Sequence, residues 1–171
     1  AFGALVGNLA ERDMEAARVI VRRLMWQLND ESGGIGWGCP EAMGETLASH
    51  GRLADEYSSV LVSYINEEGN YLEYTPLQRG AVWGVARVAR AAPERMRKAV
   101  PHLLACLVSE DSTVRGISAW ALGLLEAKEA RATLEALLDD TSPVEIYRDL
   151  RLQTLEIKDL AGEALARIGV A

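Results

Sequence analysis

Apolar side chains recur along most of this chain at steps of three and four residues, with polar side chains filling the positions between. Met14, Ala17, Ile20, Val21, Leu24, Met25 and Leu28 place one apolar stripe on a helix over about residues 12–29. Tyr57, Val60, Leu61, Tyr64 and Ile65 mark a second such face, Val100, Leu103, Leu104, Leu107 and Val108 a third, and Ala130, Leu134, Leu137 and Leu138 a fourth. Pro101 sits in the first turn of the third helix, where a missing N–H is tolerated. Each of these outer helices is followed by a more uniformly apolar one, over about 38–50, 76–92, 112–126 and 156–169. The pattern therefore predicts an all-α chain of about four helical hairpins. No segment sustains a period of two with β-branched residues, so essentially no strand is expected.

Three of the inner helices are one sequence written three times. Leu77-Gln-Arg-Gly-Ala-Val-Trp-Gly-Val-Ala-Arg-Val88, Val114-Arg-Gly-Ile-Ser-Ala-Trp-Ala-Leu-Gly-Leu-Leu125 and Ile157-Lys-Asp-Leu-Ala-Gly-Glu-Ala-Leu-Ala-Arg-Ile168 overlay without a gap, at offsets of 37 and 43 residues. Repeats at roughly 20–50 residues are the mark of solenoids built from stacked supersecondary units. Long polar connections, at 29–38, 67–75 and 139–148, join outer to inner helices in three hairpins, whereas 109–113 is a tight turn. Long loops of this kind more often carry function than short ones.

Val100-Pro-His-Leu-Leu-Ala-Cys-Leu-Val-Ser-Glu-Asp-Ser-Thr-Val-Arg-Gly-Ile-Ser-Ala-Trp-Ala-Leu-Gly123 resembles a unit of the HEAT-like repeats of phycocyanobilin lyase (PBS lyase) subunits and many bacterial scaffold proteins. Residues 157–169 fit the second half of that pattern, and the first two hairpins fit it loosely. The resemblance implies a right-handed α-α superhelix, with Asp111 and Arg115 in an inter-repeat charge ladder and Gly116, Ala119 and Gly123 admitting close helix packing. It also implies partner binding along the concave face of the inner helices, although fold alone does not fix function. On this reading residues 1–171 form one repeat domain with a truncated N-terminal half-repeat, because the opening apolar residues read as the end of an earlier helix. That apolar end also points to a homodimer formed through it.

Carrying the alignment through the four inner helices puts Glu45, Trp83, Trp120 and Glu163 at one equivalent position facing the concavity. Glu41, Arg79, Gly116 and Asp159 lie one turn away, and Arg87 a turn beyond Trp83. Two tryptophans flanked by carboxylates suit a small planar or cationic group, or a protein segment carrying lysine or arginine. The same tryptophans also fit a packing role between hairpins. A second candidate is the glycine-rich loop 29–38, with Asp30, Glu31 and Trp37. It lacks the Gly-Lys-Ser/Thr of a phosphate loop and follows a helix rather than a strand. Asp30, Glu31, Glu41 and Glu45 offer oxygen ligands without a specific spacing, so no metal and no cofactor is assigned.

Bulk properties narrow the function classes. The 171 residues are 49% hydrophobic and 25% charged, with a net charge of −7, which makes nucleic acid an unfavoured partner. Cys39 and Cys106 form no metal-spaced cluster, and neither His50 nor His102 is followed by glutamate, as paired His-Glu metal ligands would require. At a helix start Cys39 is expected to have a lowered thiol pKa. No apolar run approaches the roughly 20 residues of a membrane span, and a secretory signal is missing from the first residues, so a cytoplasmic setting is expected. The leading expectation is a binding or scaffold module with a protein partner, more a binder than an enzyme. The alternatives are a helical-repeat enzyme resembling the alkylpurine DNA glycosylases, with Arg79, Arg87, Arg90 and Arg115 on phosphates, and a bilin lyase-type chaperone.

Overall fold

The computed structural model describes residues 2–29 and 35–170. Its helices are α1 (Phe2–Ala10), α2 (Met14–Leu28), α3 (Cys39–Ser49), α4 (Gly51–Ser63), α5 (Thr75–Ala91), α6 (Pro93–Met96), α7 (Val100–Cys106), α8 (Ser112–Leu124), α9 (Arg131–Ala136) and α10 (Ile157–Val170). Capping chemistry explains where several of them begin. Asp13 accepts from the Ala16 N–H at 2.9 Å and Asp111 from the Val114 N–H at 2.9 Å, each satisfying a donor that the first turn leaves free. His50 ends α3 and starts α4 by accepting at Nδ1 from the Leu53 N–H, 3.4 Å away. Proline in the first turn of α3, α5, α6 and α7 fixes the helical φ where no N–H is needed.

Two layers result, and the all-α solenoid expected from the repeats is what forms. In the inner layer α1, α3, α5, α8 and α10 stack in sequence, each on the next, while α2, α4, α6 with α7, and α9 cover them from outside. The third and fourth outer helices are entered through 3₁₀ turns at Arg97–Ala99 and Lys128–Ala130 and stop short of the ends of their apolar stripes, leaving Leu107, Val108, Leu137 and Leu138 in turns. Leu61, Val85, Leu103, Leu122 and Leu160 are completely buried between the layers, each adding about 1.5–3 kcal/mol.

Glycine sets how closely the inner helices approach. A Cβ on Gly44 of α3 would overlap the Cα of Gly84 in α5, and one on Gly123 of α8 would lie 2.6 Å from the Cα of Ala164 in α10. These helices touch backbone to backbone.

One expectation is overturned. A two-stranded antiparallel hairpin, β1 (Pro143–Arg148) and β2 (Arg151–Glu156), stands between α9 and α10. Val144 and Ile146 alternate inward and are buried, while Glu145 and Tyr147 point out. The two-residue turn, Asp149-Leu150, has positive φ at both positions, 53° and 61°, as a tight primed hairpin turn demands.

If backbone contact sets the inner row, Gly44→Ala must separate α3 from α5, and urea unfolding should show a loss of about 1–3 kcal/mol. Gly162→Ala in α10, where an added methyl meets nothing within 4 Å, should instead gain about 0.5–1 kcal/mol.

Candidate functional site

The hairpin lies across the concave face and is fastened there by groups from three inner helices. Val144 packs over Gly116 of α8, where a Cβ would come within 2.6 Å of the valine Cγ2. The indole Nε1 of Trp83 donates to the Tyr147 carbonyl at 2.7 Å. Arg148 spans the Glu163 carboxylate with two bonds, 2.6 and 2.9 Å long, and Arg90 donates to Asp149 at 2.6 Å. The face therefore does not present an open groove. Of the cavities that remain beside the hairpin, the two larger lie one on either flank, and a third of about 300 Å³ opens toward Phe2 and Gly38.

On the first flank is a cavity of about 630 Å³. Trp37, Trp83, Tyr147 and Leu152 form its apolar walls, with Glu41, Glu145 and Arg79 as the charged groups. Tyr147 and Leu152 are directly opposed across the two strands, so they share a face. Trp37 meets Tyr74 edge-on at 5.7 Å, and Trp83 meets Tyr147 tilted at 6.4 Å. Trp37 is 63% exposed and Leu152 66%. The Glu41 carboxyl is tucked against Gly80, where a Cβ would lie 2.6 Å from the carboxyl carbon and displace it. One oxygen, Oε2, is buried with no hydrogen-bond partner. Desolvation pushes the Glu41 carboxyl above its ordinary pKa, opposed in part by its own backbone N–H.

The second flank holds a cavity of about 430 Å³ lined by Glu45, Trp83, Arg87, Arg90, Trp120 and Arg148. Here the charges cancel: Arg87 donates to Glu45 at 2.7 and 3.2 Å. Trp120 is only 5% exposed, so it forms the cavity floor, whereas Trp83 is half-buried between the two cavities.

Along the edge where the inner helices begin runs a regular series of ion pairs. Arg79 of α5 grips Asp111 at the start of α8, with Nε–Oδ1 3.0 Å and Nη2–Oδ2 2.5 Å, and Arg115 of α8 reaches Asp140 ahead of the hairpin at 2.9 Å. Burial opposes ionisation of Asp111, but the Arg79 guanidinium and the Val114 amide hold its pKa below the usual carboxylate value. Each arginine of one repeat thus meets an aspartate of the next, and a family model for the HEAT-like repeat matches residues 75–125, from α5 through α8. Residues 75–125 thus carry a HEAT-like repeat within an all-α solenoid. A chain in the structure of the complex of CpcE and CpcF of phycocyanin lyase from Nostoc sp. PCC7120 shares this fold, with a TM-score of 0.59 at 23% identity over 88% of the present chain. The present chain spans 53% of that one. No curated protein sequence matches it.

Within this HEAT-like scaffold the residues singled out from sequence part company. Glu45, Trp83, Arg87 and Trp120 converge on the second cavity, Arg79, Trp83 and Trp37 line the first, and Glu163 is held by Arg148. Asp30 and Glu31 lie outside the described residues. Tyr147, Leu152 and Glu145 enter the site only because the hairpin carries them there. Cys39 runs against expectation: burial and the Glu41 charge push its thiol pKa up rather than down. Burial likewise takes Cys106 to about 11, so neither thiol is a ready nucleophile. Among the described residues no cluster of His, Cys, Asp and Glu is arranged to hold a metal, and no helix is long and apolar enough to cross a membrane.

Leu150 at the hairpin tip holds a left-handed backbone that a branched side chain resists, and it is 87% exposed. Leu150→Gly should therefore relieve about 1–2 kcal/mol of strain with little burial lost, read as slower amide hydrogen exchange in β1 and β2.

Proposed function

We propose that this HEAT-like repeat protein is a binding module that captures a segment of a partner protein in the aromatic cavity beside the hairpin. The observation carrying this reading is the gathering of Trp37, Tyr147 and Leu152, all exposed by about half or more, around one cavity. A fold does not need large apolar side chains left in water at one place, and aromatic anchors at a concave surface are what partner recognition uses. The concave face remains the binding face, as the repeat pattern implies, but the seat lies along the hairpin rather than in an open groove.

Charge pairing argues against the enzyme alternative. Arg79, Arg87, Arg90 and Arg115, the groups that would hold DNA phosphates, are each engaged by a carboxylate of the chain itself, and releasing them would cost those pairs before any phosphate contact is gained. A tetrapyrrole acid would bring its carboxylates toward Glu41 and Glu145, so the fold likeness to a phycocyanin lyase subunit is not matched by the charge of the cavity.

Trp37→Ala combined with Tyr147→Ala removes two walls without touching the core, and far-UV circular dichroism should be unchanged. In a pull-down from lysate of the source organism, read by mass spectrometry, a partner should be retained by the parent protein and reduced about tenfold or more by the double variant. Equal capture by the two proteins, or capture by neither, would overturn the reading.

A further inference from the structure

The chemistry of the same cavity names what the captured segment must carry. We infer that the cavity receives the guanidinium of an arginine side chain, with Glu41 as its counter-ion and Trp37, Trp83 and Tyr147 as the stacking surfaces. This rests on the binding-module reading above and adds the chemical identity of the anchor.

Three observations lead there. Glu41 lines the cavity, and its buried Oε2 has no partner in the chain, a condition that is costly unless the side chain turns to meet a donor in the cavity. The cation that shares the cavity, Arg79, is bound through two of its nitrogens to Asp111 and is not available to Glu41. Glu145 adds a second carboxylate to the lining, so an empty cavity is net negative and an incoming cation meets no repulsive charge that is unpaired. The position opposite the carboxyl is Gly80, and a side chain there would push the carboxyl from its present place. A planar cation suits this space better than a compact ammonium. A guanidinium can lie along an indole or phenol ring while donating in its own plane to a carboxylate, and it is less strongly hydrated, so it enters an apolar-walled site at lower cost.

Glu41 also distinguishes this role from a structural one. A buried carboxyl that serves packing would be missed when replaced, whereas one held without a partner weakens the fold. Burial raises the Glu41 pKa, so the folded state holds that proton more tightly than the unfolded chain does. Its contribution to stability is then greatest below the unfolded carboxyl pKa and falls away as pH rises through the folded one. The other ionisable groups around Glu41 are Arg79, already paired, Glu145 on the exposed face of β1, the Tyr147 phenol in the cavity wall and the buried Cys39 thiol.

The test titrates the whole chain, ¹⁵N-labelled on its tryptophan indoles, with acetyl-Gly-Arg-Gly-amide and with the same peptide carrying citrulline, the neutral isostere of arginine. The arginine peptide should shift the Trp37 and Trp83 indole signals saturably, the citrulline peptide should bind about tenfold or more weakly, and Glu41→Gln should erase that difference. Glu41→Gln should also melt higher than the parent at neutral pH and lose the margin under mildly acidic conditions. Equal binding of the two peptides, no saturable shift with either, or a Glu41→Gln protein that still prefers arginine would overturn the inference. A partner captured from lysate through Trp37 and Tyr147 together with any of those results would leave the binding module standing and remove only the arginine anchor.

Discussion

Backbone contact between inner helices is the constraint on which the rest of this structure depends. Where Gly44 faces Gly84 and Gly123 faces Ala164, the helix axes are brought closer than larger side chains allow, and van der Waals contact along the whole backbone replaces side-chain interdigitation. That close row fixes the rotation of each inner helix, because Gly84 of α5 and Gly123 of α8 must face the neighbouring backbone. The position of every other side chain on those helices follows. Trp83 is turned to the concave side, and Arg79 and Arg115 are turned to the edge where the next repeat begins. Gly116 extends the rule to the hairpin, since the space it leaves on α8 is what Val144 fills.

The hairpin changes what the concave face can do. A bare solenoid with Glu45, Arg87, Trp120 and Glu163 in a row would be a polar groove open to any elongated partner. With the hairpin in place most of those charges are satisfied inside the chain, Glu45 by Arg87 and Glu163 by Arg148, and half-buried pairs of that kind serve register more than affinity. Trp120 disappears beneath the same element. What stays exposed is concentrated on the opposite flank, where the walls are aromatic and one buried carboxylate oxygen has no partner.

Much of this was legible in the sequence, for an identifiable reason. Inner helices repeat because each must solve the same packing problem, and the charge ladder expected of Asp111 and Arg115 is present, Asp111 with Arg79 and Arg115 with Asp140, although Arg79 overlays Gly116 rather than Arg115. The hairpin was hidden because its inward alternation amounts to Val144 and Ile146 only, too short to register as a period of two, and because its turn is Asp149-Leu150 rather than a glycine-containing pair. The longer second offset, 43 residues against 37, was the trace it left. Equivalent positions on equivalent helices cannot be separated by alignment, so Trp83 and Trp120 read alike, and what divides them is an insertion elsewhere in the chain. The Cys39 thiol was misread for a related reason: a helix start lowers a thiol pKa only where water reaches it, and here burial beside Glu41 prevails.

Features that weaken the fold collect around the hairpin and the cavities beside it. Leu150 is held left-handed and exposed at the hairpin tip, Trp37 and Leu152 stand in water, and Glu41 is desolvated without a donor. Each is a local choice that a sequence under selection for stability alone would replace, and together they contradict the consistency seen in the glycine contacts, the caps and the Arg–Asp pairs. A scaffold whose inner helices are locked at their backbones has stability to spare for such choices, and the choices need not be scattered. Their convergence on the hairpin and the cavities beside it is therefore no demand of packing, which requires none of them.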